Sequence, residues 1–288
     1  MKVVSSPQEL GAAERAVALG TFDGVHLGHR RVIEATLVAG LQATVVTFDP
    51  HPRTALGNRV ELISTLERRL ELIAELGVTE TLVLPFTPDL ALRTPEEFGL
   101  TVLEPMGARI VVAGANFRFG RGRTGDLDVL RALGFDARAT PLVESVSSRN
   151  IRQLILTGEV DRAARLLGRP AEVEGTVVAG DARGGTLGFP TANLAVPSEL
   201  LVPAFGIYAG EALETRAAIS IGVNPHYGGE ERRVEAFLLD YEGDLYGKRL
   251  VVQIWKRLRE ERAFGSEQEL IAQIGRDVQE TRAAVSPV

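Results

Sequence analysis

The chain has no cysteine, which excludes disulfides, thiolate metal centres and cysteine nucleophiles. It has almost no lysine: Lys2, Lys248 and Lys256 are the only three, and arginine supplies the remaining positive charge. Arginine suits bidentate phosphate contacts, although genomic base composition is the plainer source of the bias. Aromatic residues are sparse, at 6% with one tryptophan. No apolar run is long enough to span a bilayer. The first residues, Met1 to Pro7, lack the apolar core of a secretory signal, so the expected location is the cytoplasm. The net charge of −6 disfavours general nucleic-acid binding. What is present is an ordinary globular composition, 45% apolar and 24% charged, over 288 residues, a length that favours two domains.

The two halves carry different patterns. In the first, short apolar runs at 16–19, 43–48, 81–86 and 109–113 alternate with helical segments. The helices are expected at 29–38, after a capping box at Ser64–Glu67, and after Thr94-Pro95, where proline takes the first helical position. Such alternation implies a parallel sheet covered on both faces. A polar stretch at 145–149 leads into a helical segment at 151–167, which Gly168-Arg169-Pro170 ends. The domain boundary is therefore placed at 169/170. In the second half, strand-like runs at 172–178, 206–212, 217–223, 234–239 and 250–255 are separated by glycine-rich turns, the pattern of a small antiparallel barrel. A terminal helix opens on the capping box Ser266–Glu269, with Leu270, Ile271, Ile274 and Val278 on one face. On base rates Tyr241, Trp255 and Phe264 are expected in the core.

Two glycine-rich motifs carry the chemistry. Gly20–His29 reads GTFDGVHLGH and joins a strand to a helix. Free backbone N–H groups and the helix dipole favour phosphate at such a turn. Gly20, Gly24 and Gly28 let a nucleotide approach, and His26 and His29 are placed to donate to charge building on a phosphoryl group. Further along, Gly184–Asn193 reads GGTLGFPTAN. This is not a P-loop, because no G-K-[ST] follows. Val234–Asp240 reads VEAFLLD, and period-2 alternation sets Glu235 beside Phe237 on an apolar face. An unpaired carboxylate there is costly, so Glu235 is expected to pair with an arginine, to lie at the strand edge, or to act as a base.

The first motif resembles the HxGH nucleotidyltransferases, and its longer form resembles the FMN adenylyltransferase module of bacterial bifunctional riboflavin kinase/FAD synthetases. Thr47–Pro52 (TFDPHP), Gly114–Gly120 (GANFRFG) and Gly125-Asp126 are similar to segments of the same branch. The second motif resembles the G-x-x-x-G-F-P-T-A-N signature of riboflavin kinases, and Val234–Asp240 resembles the segment that carries their catalytic glutamate. The resemblance runs from about Val17 to Arg282. It implies two domains: an N-terminal α/β HxGH nucleotidyltransferase-like domain with a Rossmann-like parallel sheet at 1–169, and a C-terminal antiparallel β-barrel with a terminal helix at 170–288. It also implies Glu235, His26 and His29 as catalytic residues.

Nucleotide contacts are implied at Gly20, Phe22, Asp23, Gly24, Gly28, Asn116, Asp126, Ser147, Ser148 and Arg152, and at Gly184, Gly188, Pro190, Thr191 and Asn193. Flavin contacts are implied at Phe48, Pro50, His51, Pro52, Arg259 and Phe264. Thr191 and Asn193 would hold Mg²⁺ with ATP. The implied partners are ATP, riboflavin and FMN, with FAD as product, no nucleic acid and no membrane, leaving room for weak or transient self-association. The run at 145–149 departs from the family pattern R-I-S-S-T, with Ser145 and Arg149 replacing its arginine and threonine. Arg149 offers a replacement charge; the alternative is a kinase or flavin-binding protein with a degenerate first module. The HxGH turn also occurs in class I aminoacyl-tRNA synthetases, but the chain has no tRNA-binding extension and an acidic balance.

Overall fold

In the computed structural model, which describes residues 1–38, 40–180, 189–223 and 232–288, the first half forms one sheet. Its strands are β1 (Lys2–Val4), β2 (Arg15–Leu19), β3 (Gln42–Asp49), β4 (Glu80–Pro85), β5 (Ala108–Gly114) and β6 (Asp136–Thr140). All pairs are parallel, in the order β1-β4-β3-β2-β5-β6. The intervening helices are α1 (Leu27–Glu34), α2 (Pro52–Ala55), α3 (Leu66–Glu75), α4 (Pro88–Leu92), α5 (Pro95–Phe98) and α6 (Leu127–Ala132). Alternation along the strands divides the core. Ala16, Ala18, Val45 and Val112 pack with Val32 and Ile33 of α1 and Leu72 and Ile73 of α3. Val17, Leu19, Val46 and Val111 pack with Phe98 of α5 and Leu127 and Leu130 of α6 on the other side. From β2 the strand order runs one way to β3 and the other way to β5. The crevice at the carboxyl ends of β2 and β5 is thus a topological switch point, where open α/β sheets bind ligands.

Two boundaries move for local reasons. The first helix starts at Leu27, because the His26 side chain caps it, and ends at Glu34. The second cap is Thr65, whose hydroxyl accepts from Arg68 N, and not Ser64. Ser64 is engaged elsewhere: its hydroxyl accepts from Gly24 N at 3.1 Å. Strands β1 and β6 were not expected from the sequence; they are short edge strands with exposed positions.

The chain divides into two compact units, 1–147 and 148–288. The expected single linking helix is two, α7 (Ser148–Leu156) and α8 (Val160–Leu167). Gly168 ends α8 in the left-handed conformation, as expected. Because α8 packs on the barrel strands β7 and β12, the compact boundary falls at the start of these helices and not at 169/170. The barrel comprises β7 (Ala171–Val178), β8 (Ala192–Ala195), β9 (Gly206–Ala212), β10 (Thr215–Val223), β11 (Arg232–Leu238) and β12 (Arg249–Arg259). It closes in the order β10-β11-β8-β7-β12-β9, with every pair antiparallel. Its interior takes Val234, Ala236 and Leu238 from β11, with Ile219 and Val252. Trp255 is buried beneath the Arg216 guanidinium, 4.3 Å from the ring centre.

The terminal helix, α9 (Glu267–Ala283), corrects the sequence expectation. Ile271 is exposed, and the buried face is largely polar: Gln273, Asp277 and Thr281, with Val278. Leu270 and Ile274 instead line a cavity. The apolar stripe serves a pocket wall, and the polar stripe meets arginines from β12 and the loop after it.

Candidate active sites

In the first unit the sheet brings three of the expected segments to one edge. The GTFDGVHLGH turn leaves β2, Pro50–Pro52 leaves β3, and Asn116 follows β5. The turn is strained: Phe22 and Val25 have φ of 51° and 37°, although neither is glycine. Such residues cost about 1–3 kcal/mol each and persist where the surroundings hold them; here both side chains are buried. Gly24, at φ 77°, has no room for a side chain, since a Cβ would lie 2.7 Å from Ile63 Cγ2. Asp23 is fully buried, and its Oδ1 accepts from the backbone N–H groups of Ile63 and Ser64 at 2.9 and 3.2 Å. It clamps the 63–64 segment to the turn.

His26 caps α1, its Nδ1 accepting from His29 N at 3.2 Å. A neutral imidazole with Nδ1 as acceptor carries its proton on Nε2, so the ring N–H of His26 is at Nε2. The His26 and His29 rings stack at 3.5 Å between centres, and Phe22 meets His29 edge-on. Gly28 lies against the His26 ring and near Val146, which brings the 145–147 run over the start of α1. Ser145 and Ser147 are exposed. Ser148 and Arg152, with Arg149, lie on α7 in the second unit. Asn116 is exposed, while Asp126 caps α6 through Asp128 N and Val129 N. His51 caps α2, accepting from Arg53 N at 3.2 Å; Pro50 follows a cis peptide bond, and Phe48 packs edge-on against Phe86.

Arg69 was not among the expected site residues. It is fully buried, and Nη1 donates to Phe48 O at 3.2 Å. Burial pushes its guanidinium below the usual arginine range, and the Asp23 and Asp49 carboxylates oppose that shift. Removing it leaves the buried Asp23 carboxylate without that offset. Arg69→Met is expected to destabilise the first unit by about 3 kcal/mol or more, seen as an earlier transition in urea unfolding. An unmoved transition would dismiss the charge offset.

In the second unit, register builds the site. β11 pairs with β8 so that Glu235 stands opposite Asn193, with Val234 opposite Leu194 on the core face. Arg233, Glu235 and Phe237 share the outward face and are half-buried. Glu235 Oε2 accepts from Thr191 Oγ1 at 3.3 Å, and Oε1 pairs with Arg233 Nε at 2.5 Å. Glu235 is thus paired with an arginine, as one of its expectations had it, and it also faces a cavity. That cavity, ≈ 340 Å³, is lined by Phe189, Thr191, Glu235, Phe237, Arg259 and Phe264, with Leu270 and Ile274 of α9. Phe189 and Phe237 meet edge-on. Arg259 is held by Asp277 through Nε and Nη2 at 3.0 and 2.7 Å, and stands 5.8 Å from the Phe264 ring centre. Arg262 stacks on Phe264 and donates to Gln273. The α9 residues Asp277 and Gln273 were missed in the sequence; their i, i+4 spacing was the available signal.

A second cavity, ≈ 160 Å³, lies on the far side of Thr191 and is bounded by Pro190, Tyr241 and Tyr246 among others. Tyr241 is half-buried at its wall, and Phe264 is half-buried at the wall of the first cavity, so neither lies in the core. Thr191 therefore separates an aromatic cavity from a second one. Gly184 and Gly188 lie outside the described residues. Among the described residues no group of three His, Cys, Asp or Glu is placed to hold a metal. Mg²⁺ does not require one, because it binds through one or two protein oxygens together with substrate phosphates. The residues present fit it: Thr191 and Asn193 offer hard oxygens, and Gly180 leaves space for the Asn193 side chain, since a Cβ there would lie 2.4 Å from Asn193 Cγ.

A switch-point HxGH turn on one unit and a barrel with a carboxylate, Thr and Asn over an aromatic cavity on the other define a two-module, nucleotide-dependent transferase. The sequence matches the FAD synthetase family over residues 9–152 and the riboflavin kinase family over 167–285. It is 37% identical to the bifunctional riboflavin kinase/FMN adenylyltransferase of Listeria monocytogenes, covering 93% of this chain and 92% of that one. It is 35% identical to that of Bacillus subtilis, over 96% and 95%. The chain belongs to the bifunctional riboflavin kinase/FMN adenylyltransferase family. The structure superposes on a Streptococcus pneumoniae crystal structure described as a macrolide-efflux protein, with a TM-score of 0.88, 32% identity, and 98% and 99% coverage. In the present chain no helix among the described residues is long and apolar enough to cross a membrane.

Proposed function

We infer that the barrel unit transfers the γ-phosphoryl group of ATP to the ribityl 5′-hydroxyl of riboflavin, giving FMN, and that the sheet unit joins FMN to AMP from a second ATP, giving FAD and pyrophosphate. The observation that carries the kinase assignment is Glu235 at the wall of the aromatic cavity, bonded to Thr191 between the two cavities. The isoalloxazine ring would lie among Phe189, Phe237 and Phe264, with Arg259 fixed by Asp277. ATP would enter from the Thr191 side. Glu235 would take the hydroxyl proton as the oxygen attacks the γ-phosphorus. Thr191 Oγ1 and Asn193 Oδ1 would hold Mg²⁺, which neutralises charge on the transferring phosphoryl group when bound.

In the sheet unit, a phosphate oxygen of FMN would attack the α-phosphorus of ATP. Catalysis there is by positioning and charge, with no covalent enzyme intermediate. The His26 Nε2–H, His29 and the backbone N–H groups at the start of α1 would face the developing charge. Phe48 and the Pro50–Pro52 segment would receive the flavin, and Asn116 the nucleotide. A cytoplasmic location with small-molecule substrates, and with no nucleic-acid or membrane partner, accords with the acidic balance, and leaves room for weak or transient self-association.

Incubation with riboflavin, ATP and Mg²⁺, followed by chromatography over time, tests both steps. FMN appearing first and FAD second is the expected result. FMN without FAD would assign a functional loss to the Ser145–Arg149 departure. Flavin binding with no product from folded protein would make the chain a flavin-binding protein instead.

A further inference from the structure

Arg233 lies two residues before Glu235 on β11 and so shares its face. Its Nε and Nη2 donate to Asn193 Oδ1 at 2.9 and 2.8 Å, while Nε also pairs with Glu235 Oε1 at 2.5 Å. One guanidinium thus joins the amide assigned above to the divalent cation and the carboxylate assigned above as base. An amide oxygen has two lone pairs, and two Arg233 N–H groups are directed at this one. A cation taking Asn193 Oδ1 as ligand must displace at least one of them.

We propose that Arg233 is an internal counter-cation of the kinase site, bonded to Asn193 Oδ1 in the nucleotide-free state and driven off it when a divalent cation arrives with the nucleotide. The inference rests on the reading of Asn193 as a cation ligand. Arg233 keeps the Asn193 carbonyl and the Glu235 carboxylate oriented toward one point before the cation is there. It also opposes cation entry, because the two positive charges compete for the same oxygens. Loading exchanges one cation for another, so the site binds divalent cation more weakly than Thr191, Asn193 and the phosphates alone would.

The test is calorimetric titration of the full-length protein with ADP in the presence of Mn²⁺. The kinase-site component is the part of the binding that Asn193→Ala removes. In Arg233→Met that component is expected to tighten about tenfold, the worth of one charge-assisted hydrogen bond no longer broken on loading. Arg233→Lys keeps the charge but not the fork, and is expected to fall between Met and wild type. Should the Met variant fail to give a native thermal transition, the Lys variant decides by the same criterion. Unchanged or weaker binding overturns the proposal while leaving Asn193 as ligand, and weaker binding identifies Arg233 as a phosphate contact. If Asn193→Ala removes no binding at all, the cation-ligand reading itself falls, and the counter-cation with it.

Discussion

Glu235→Gln is expected to lower riboflavin phosphorylation by about a hundred- to ten-thousand-fold, the usual contribution of a positioned general base. Glutamine keeps the volume of the side chain, so the cavity wall beside Phe237 and Phe264 is preserved. It also retains an oxygen able to accept from Thr191, which lies 3.3 Å from Oε2 in the native site. What it loses is the capacity to take a proton, together with the ion pair to Arg233. The fold should tolerate this, because Glu235 is half-buried at the barrel surface and the interior of β11 is carried by Val234, Ala236 and Leu238. Conversion of supplied FMN to FAD, followed in the same preparation, should be unchanged. Parallel loss of both reactions in a folded variant would mean that the two chemistries do not occupy separate units.

The second large effect is expected at His29. His29→Ala should reduce FMN adenylylation by about a hundred- to a thousand-fold, the range for removing one preorganised donor to a developing oxyanion, with riboflavin phosphorylation spared. His29 suits the test better than His26. The His26 ring caps α1 and is buried, so its loss mixes catalysis with a capping cost of about 1 kcal/mol. His29 contributes to the cap only through its backbone N–H, which alanine retains. Pyrophosphate release from FMN and ATP is the readout. Full adenylylation by His29→Ala would remove the HxGH turn from the catalytic account.

Much of this was legible in the chain. The Gly20–His29 turn reads correctly because it is local: a buried strand, three glycines and a helix start fall within a dozen residues. Glu235 was legible from alternation alone, since one carboxylate among apolar neighbours on a strand demands an explanation. The edge strands β1 and β6 and the short barrel strand β8 were not, because their residues are only partly buried and carry little periodic signal. The α9 stripe was misread for a related reason: Leu270 and Ile274 have the spacing of a core face, yet they border a cavity that the linear sequence cannot display. Ser64 was misread as a cap because its hydroxyl is taken by Gly24, forty residues away in the chain.

The sequence by itself determined the two-module order, the family, and the residue types available at each candidate site, because these depend on contiguous motifs and on period-2 alternation. Tertiary structure alone decided which of those residues meet. The parallel order that sets β2 between β3 and β5 brings three separate loops to one crevice. The β8–β11 register sets Asn193 opposite Glu235 and lets Arg233 span them. Arg69 acquires its role only by burial within the electrostatic reach of Asp23 and Asp49, carboxylates that lie far from it in sequence. Long-range pairing fixes such meetings, since a strand shifted by one residue would turn Glu235 into the barrel interior and Val234 out of it.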